Sequence, residues 1–110
     1  MPSTVTALIA LGANLGQPAE TLRSALVALD ADPDLQVTAV SGFYRTPPLG
    51  PPQPDYCNAC AVLATALDPE PLLERLLALE TRFGRQRGER WGPRTLDLDL
   101  LAWGDRIHRS

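Results

Sequence analysis

The stretch GERWGPRTLDLDLLAWG, residues 88–104, decides the fold, because it drives Asp97 and Asp99 into a run of leucines. Residues two apart do not share a helix face, so a helix would splay the two acids. A strand has a side-chain period of two and places Asp97 and Asp99 on one face, with Leu96, Leu98 and Leu100 on the other. The alternation predicts a strand over 96–103. At a rise of about 3.3 Å per residue the two Cβ atoms stand roughly 6 to 7 Å apart, close enough for flexible carboxylates to converge on one cation. Left unpaired, the charges would repel each other and resist burial. The pattern therefore predicts either a divalent-metal site on a strand or a solvated polar face.

Working outward, RFGRQRGERWGPR (82–94) carries Arg82, Arg85, Arg87, Arg90 and Arg94 against a single acid, Glu89, and its glycines predict a mobile loop. Such a loop beside a carboxylate pair fits a metal-bound polyphosphate, the cation lying between acids and phosphate oxygens and arginine neutralising the rest. A solvated basic loop or a nonspecific nucleic-acid patch would look the same. Upstream, DPEPLLERLLALETRFGR (68–85) reads as a helix with an Asp N-cap, an early proline, leucines at 72, 73, 76, 77 and 79, and a stop at Gly84. YCNACAVLATAL (56–67) alternates as a strand. LQVTAVSGFYRT (35–46) reads as a long strand with a bulge or bend at Gly42, QPAETLRSALVALDAD (17–32) as a helix and TALIALGAN (6–14) as a strand. The order βαββαβ is the α+β, ferredoxin-like pattern, a four-stranded antiparallel sheet with two helices on one face. That pattern serves many unrelated functions.

The 110 residues suffice for one domain with a core, and no apolar run approaches the roughly 20 residues of a membrane-spanning helix. The expectation is a soluble, cytoplasmic chain. The net charge of −3 is unevenly spread: residues 1–81 hold three Arg against nine acids, and residues 82–110 hold seven Arg against four, so an anion belongs at the basic end. All ten basic residues are arginine, which suits bidentate phosphate contacts. Cys57 and Cys60 form a C-x-x-C, but on a strand residues three apart face opposite sides, so two buried reduced thiols are expected in place of a redox or metal motif. There is no Walker A loop and no Ser/His/Asp or Cys/His set, and His108 stands alone near the end as a surface residue.

TPPLGPPQPD (46–55) has five prolines that lock φ, giving a stiff loop able to form one wall of a small-molecule pocket, or else a spacer. Asn58, polar among apolar neighbours, reads as a group for a heterocycle edge or as a satisfied core amide. At this point the chain resembles the 6-hydroxymethyl-7,8-dihydropterin pyrophosphokinases of folate biosynthesis. RWGPRTLDLDLL (90–101) matches that family's signature, and FYRTPPLG, PDYCNACA and ALGANLG match in order over nearly the whole length.

The resemblance implies transfer of the β,γ-diphosphoryl group of ATP to the hydroxymethyl oxygen of a reduced pterin, with release of AMP. It implies that Asp97 and Asp99 ligate two Mg2+ ions, with ATP as co-substrate. Arg85, Arg90 and Arg94 would contact phosphate, with Arg85 and Arg94 also catalytic, and Trp91 would help to close the loop. Thr46, Pro47, Leu49, Tyr56 and Asn58 match the pterin side, and Gly12 and Asn14 the turn that buttresses it. A monomer acting on ATP and the pterin, without nucleic-acid or membrane partners, is implied. Family members continue past the last strand into a segment with a Pro-His-Pro motif, further Arg and a stacking aromatic. Residues 1–110 are therefore expected to be a single pyrophosphokinase domain truncated at its C-terminus. An ATP- or pterin-binding remnant and an RNA-binding ferredoxin-like module are the rival readings.

Overall fold

The computed structural model describes residues 3–48, 50–84 and 95–107. Alternation in ALIALGA builds β1 (Val5–Ala13), which buries Ala7, Ile9, Leu11 and Ala13 on one face. Pro18 opens α1 (Pro18–Ala31), whose Leu22, Ala25 and Leu29 lie along one buried stripe. The chain then returns through β2 (Leu35–Val40), β3 (Tyr44–Thr46) and β4 (Tyr56–Thr65). Next come α2 (Pro69–Arg82), β5 (Asp97–Trp103) and a two-residue β6 (Arg106–Ile107).

The sheet order is β2-β4-β1-β5-β6, with β3 also paired to β4, and every pairing is antiparallel. β2 and β3 lie end to end along the same edge of β4, Val40 opposite Ala61 and Tyr44 opposite Asn58, so together they form the one long strand expected. Its irregularity is placed differently from the expectation at Gly42 alone. The register shifts between Val37 and Ala39, and the ladder breaks over 41–43, where Ser41 Oγ accepts from Cys60 N–H at 2.8 Å. With that correction the frame is the expected four-stranded antiparallel α+β sheet, extended by the turn at Gly104 (φ 59°) into the short β5–β6 hairpin.

Both helices pack on one face of the sheet, because their buried residues join a single core with the inward residues of β1, β4 and β5. Sheet positions under the helices are often alanine (7, 13, 59 and 61), which leaves room for Leu22, Leu72 and Leu76. Leu76 is 1% exposed. Leu76→Ala is expected to lower stability by about 2–5 kcal/mol, read from the urea midpoint at unchanged m-value.

Asp68 occupies the N-cap position of α2, as expected, and its carbonyl accepts from Leu72 N–H at 3.1 Å, but its side chain makes no capping hydrogen bond. Cys57 and Cys60 point to opposite faces of β4 as expected, yet both are half-buried where buried thiols were anticipated. Cys57 packs against the core edge, while Cys60 lies on the face without helices.

Arg75 on α2 clasps the turn that follows α1, donating to Asp32 at 2.7 Å and to Asp34 at 2.8 Å. Partial burial alone would raise the pKa of Asp32, but the Arg75 guanidinium and the Asp34 N–H outweigh it and hold the carboxyl below its ordinary value. A depressed carboxylate adds stability above its unfolded pKa, near 3.9, and loses it as the pH falls through the folded value. The melting temperature of wild type is therefore expected to exceed that of Asp32→Asn at pH 7, the gap closing below about pH 4.

Candidate active site

The face of the sheet opposite the helices carries the polar side chains. Register sets Asp97 of β5, Gly12 of β1 and Asn58 of β4 side by side, with Tyr44 of β3 continuing the row. In the next row on that face stand Asp99, Ala10 and Cys60. Asp97 is half-buried and Asp99 exposed, while Leu96, Leu98 and Leu100 are buried beneath them, so the Leu-Asp alternation has the orientation its period predicts.

The two acids share a cleft of about 150 Å3 with Ala10, Leu11, Gly12, Tyr56 and Asn58. Gly12 is its floor: a Cβ there would lie 3.3 Å from Asn58 Oδ1 and 3.8 Å from the Tyr56 ring. Asn58 Nδ2 donates to Thr46 Oγ1 at 2.8 Å, which ties β4 to the start of the proline loop. Asn14, 2% exposed at the end of β1, donates through Nδ2 to Gln53 Oε1 at 2.8 Å and to the Pro54 carbonyl at 2.9 Å. The first turn and the proline loop are thus fastened to each other beside the cleft.

Of the residues expected in the site, Gly12, Tyr56, Asn58, Asp97 and Asp99 meet in one place, with Thr46 and Asn14 attached to it by hydrogen bonds. Pro47 is exposed and does not line the cleft. Leu49, Arg85, Arg90, Trp91 and Arg94 lie outside the described residues. A larger hollow of about 610 Å3 opens on the other side of β3, between Gln17, Glu20, Arg45 and Asp55, and holds neither aspartate. Tyr44 is raised above the usual phenol pKa by the neighbouring Cys60 thiol and by desolvation, so it stays neutral near pH 7.

No group of three or more His, Cys, Asp or Glu able to hold a metal occurs among the described residues. Two carboxylates at alternate positions of one strand, opening into one cleft, nevertheless fit Mg2+, which takes one or two protein carboxylates and fills its shell with phosphate oxygens and water. The two carboxylates are hard oxygen donors, which agrees with that ion class.

Two residues escaped the sequence reading. Gln53 was one proline-loop residue among many, and its bond to Asn14 gives it a place. Glu80 sits 3% exposed on α2, its Oε2 accepting the Leu98 N–H at 2.7 Å. Its signal was present: Leu72, Leu76 and Glu80 form an i, i+4 row, so an acid completes the buried stripe of the helix.

An acid pair on the open face of an α+β sheet, with the proline loop tied beside its cleft and an arginine-rich sequence preceding it in the chain, is an arrangement that could take a metal-bound phosphate. The family model described as 7,8-dihydro-6-hydroxymethylpterin-pyrophosphokinase (HPPK) matches residues 8–109, and the chain belongs to that family. It is similar to the 2-amino-4-hydroxy-6-hydroxymethyldihydropteridine pyrophosphokinase of Synechocystis sp., at 48% identity over 91% of this chain and 51% of that protein. The protein of the same description from Pseudomonas putida is 50% identical over 94% of this chain and 87% of its own length. The Haemophilus influenzae one is 48% identical over 94% and 65%. The chain thus spans about half the length of the Synechocystis relative. No helix among the described residues is long and apolar enough to cross a membrane.

Proposed function

We propose that the chain transfers diphosphate from ATP to the hydroxymethyl oxygen of 6-hydroxymethyl-7,8-dihydropterin and releases AMP. The observation that carries this reading is the row Asp97, Gly12, Asn58, which puts a carboxylate for a metal-bound nucleotide and an amide for a heterocycle on either side of a residue with no side chain. In the reaction the hydroxymethyl oxygen bonds to the β-phosphorus and the bond from that phosphorus to the α,β-bridging oxygen breaks. AMP leaves with the bridging oxygen, and the hydroxyl proton passes to solvent.

Asp97 and Asp99 would hold two Mg2+ ions, which when bound neutralise phosphate charge and make the hydroxyl more acidic. The chain's own part is positioning. Asn58, braced by Thr46, would read the polar edge of the pterin, and Tyr56 would pack along its ring. Asn14, through Gln53 and Pro54, would keep the proline loop beside the cleft. Arg85, Arg90 and Arg94 would neutralise the phosphates, with Trp91 closing over them. A single domain over 1–110, acting in the cytoplasm as a monomer, completes the proposal.

Incubation with ATP, the pterin and Mg2+ tests it. AMP and pterin diphosphate are expected in equal amounts, and neither in EDTA. Product formed equally well in EDTA would remove the metal from the account.

A further inference from the structure

Glu80 lies on the helix side of the sheet and is not among the described residues that line the cleft. Among its partners is the backbone between Asp97 and Asp99. In an antiparallel ladder successive residues alternate between facing the neighbouring strand and facing away. Leu98 stands opposite Leu11 of β1, between the Asp97–Gly12 and Asp99–Ala10 pairs, and its N–H goes to Glu80. Along the outer edge of β5, among the described residues, β6 pairs with Ala102 and Trp103 and not with Leu98. At Leu98, therefore, a side-chain carboxylate stands where a neighbouring strand would otherwise supply an acceptor.

A charge 3% exposed is costly to keep unless it is held by strong hydrogen bonds, and the 2.7 Å contact with Leu98 is of the charge-assisted kind. A leucine would continue the Leu72–Leu76 row at lower cost, so packing alone gives no reason for an acid there. Among its contacts the acid holds the Leu98 peptide. Because neighbouring side chains are carried by the same backbone, a turn of the strand at Leu98 swings both Asp97 and Asp99.

We propose that Glu80 is a positioning residue, whose carboxylate fixes the β5 backbone at Leu98 and so sets the direction in which Asp97 and Asp99 present their oxygens to the metal. This rests on the reading of those two acids as metal ligands. Partners that orient ligands commonly change metal affinity by about 10- to 100-fold when removed. Glu80→Gln keeps an acceptor oxygen at the same reach, Glu80→Asp keeps the charge but withdraws it by one methylene, and Glu80→Ala removes both.

The test measures Mn2+ binding by electron paramagnetic resonance, with a non-hydrolysable ATP analogue present, alongside amide exchange at Leu98 and thermal melting. Glu80→Gln is expected to stay within about threefold of wild type in Mn2+ affinity and to keep Leu98 protected. Glu80→Asp is expected to lose about tenfold in both while still melting cooperatively, and Glu80→Ala, where it folds, at least as much. Undiminished Mn2+ affinity in folded Glu80→Asp would overturn the inference, as would Glu80→Gln binding as weakly as Glu80→Asp. Wild type binding no Mn2+ at all would instead overturn the assignment of Asp97 and Asp99.

Discussion

Asp97→Ala and Asp99→Ala are each expected to cut AMP release by at least about a thousandfold while leaving the fold intact. The expectation comes from what the carboxylates are proposed to hold: metal ions contribute several kcal/mol of charge stabilisation to phosphoryl transfer, and about 4 kcal/mol corresponds to about a thousandfold in rate. Among the described residues, removing either acid leaves a single carboxylate beside Ala10, Leu11, Gly12, Tyr56 and Asn58, none of them a ligand for Mg2+ of comparable charge. Structure should survive, because the leucines between the acids carry the packing of β5 and the acids face away from the core. Rates with ATP and the pterin, set beside the circular dichroism melt, give both halves of the result.

Gly12→Val is the second large effect, and it acts on the other substrate. Valine suits a strand, so β1 should still form and still bury Leu11 and Ala13. Its side chain, however, would rise between Asp97 and Asn58, where even a single Cβ meets Asn58 Oδ1 at 3.3 Å. The two further methyl groups would fill the space proposed for the heterocycle. Pterin binding is expected to weaken by on the order of 100-fold, about 2.7 kcal/mol. Titration followed by pterin fluorescence gives the comparison, and an affinity within threefold of wild type would show that the pterin does not occupy this cleft.

The parts of the fold that could be read from the residues were those with a strong period. Ala7 to Ala13 and Ala59 to Thr65 alternate because one face of each strand is covered by helices, and the two leucine-striped helices begin at proline for the same local reasons. The edge strand was harder. Next to its break, Ser41 meets Cys60, nineteen residues away, through both its backbone N–H and its Oγ, a pairing that no local pattern announces. The half-exposure of Cys57 and Cys60 escaped for a related cause. Both residues are apolar enough to be read as core, but Cys60 lies on the face without helices and Cys57 at the edge of the core, which leaves both partly open.

In the site, legibility followed chemistry that sits on the strand itself. Asp97 and Asp99 were visible from their spacing, and register then placed Gly12 and Asn58 next to Asp97. Contacts made across the chain were not visible. The fastening of Asn14 to Gln53 joins residues 39 apart, and that of Glu80 to Leu98 joins residues 18 apart, one through a loop and one through a helix end. The interrupted leucine row at Glu80 marked an anomaly in the sequence, but only the folded chain shows which backbone group it serves.

The most direct test of the central claim uses ATP labelled at the β-phosphorus, with Mg2+ and 6-hydroxymethyl-7,8-dihydropterin. Diphosphate transfer through the Asp97 and Asp99 site predicts that the label moves onto the pterin, that unlabelled AMP is the other product, and that both disappear in Asp97→Ala and Asp99→Ala. Label remaining in ADP, label remaining in ATP while nucleotide is bound, or transfer that survives both substitutions would contradict it.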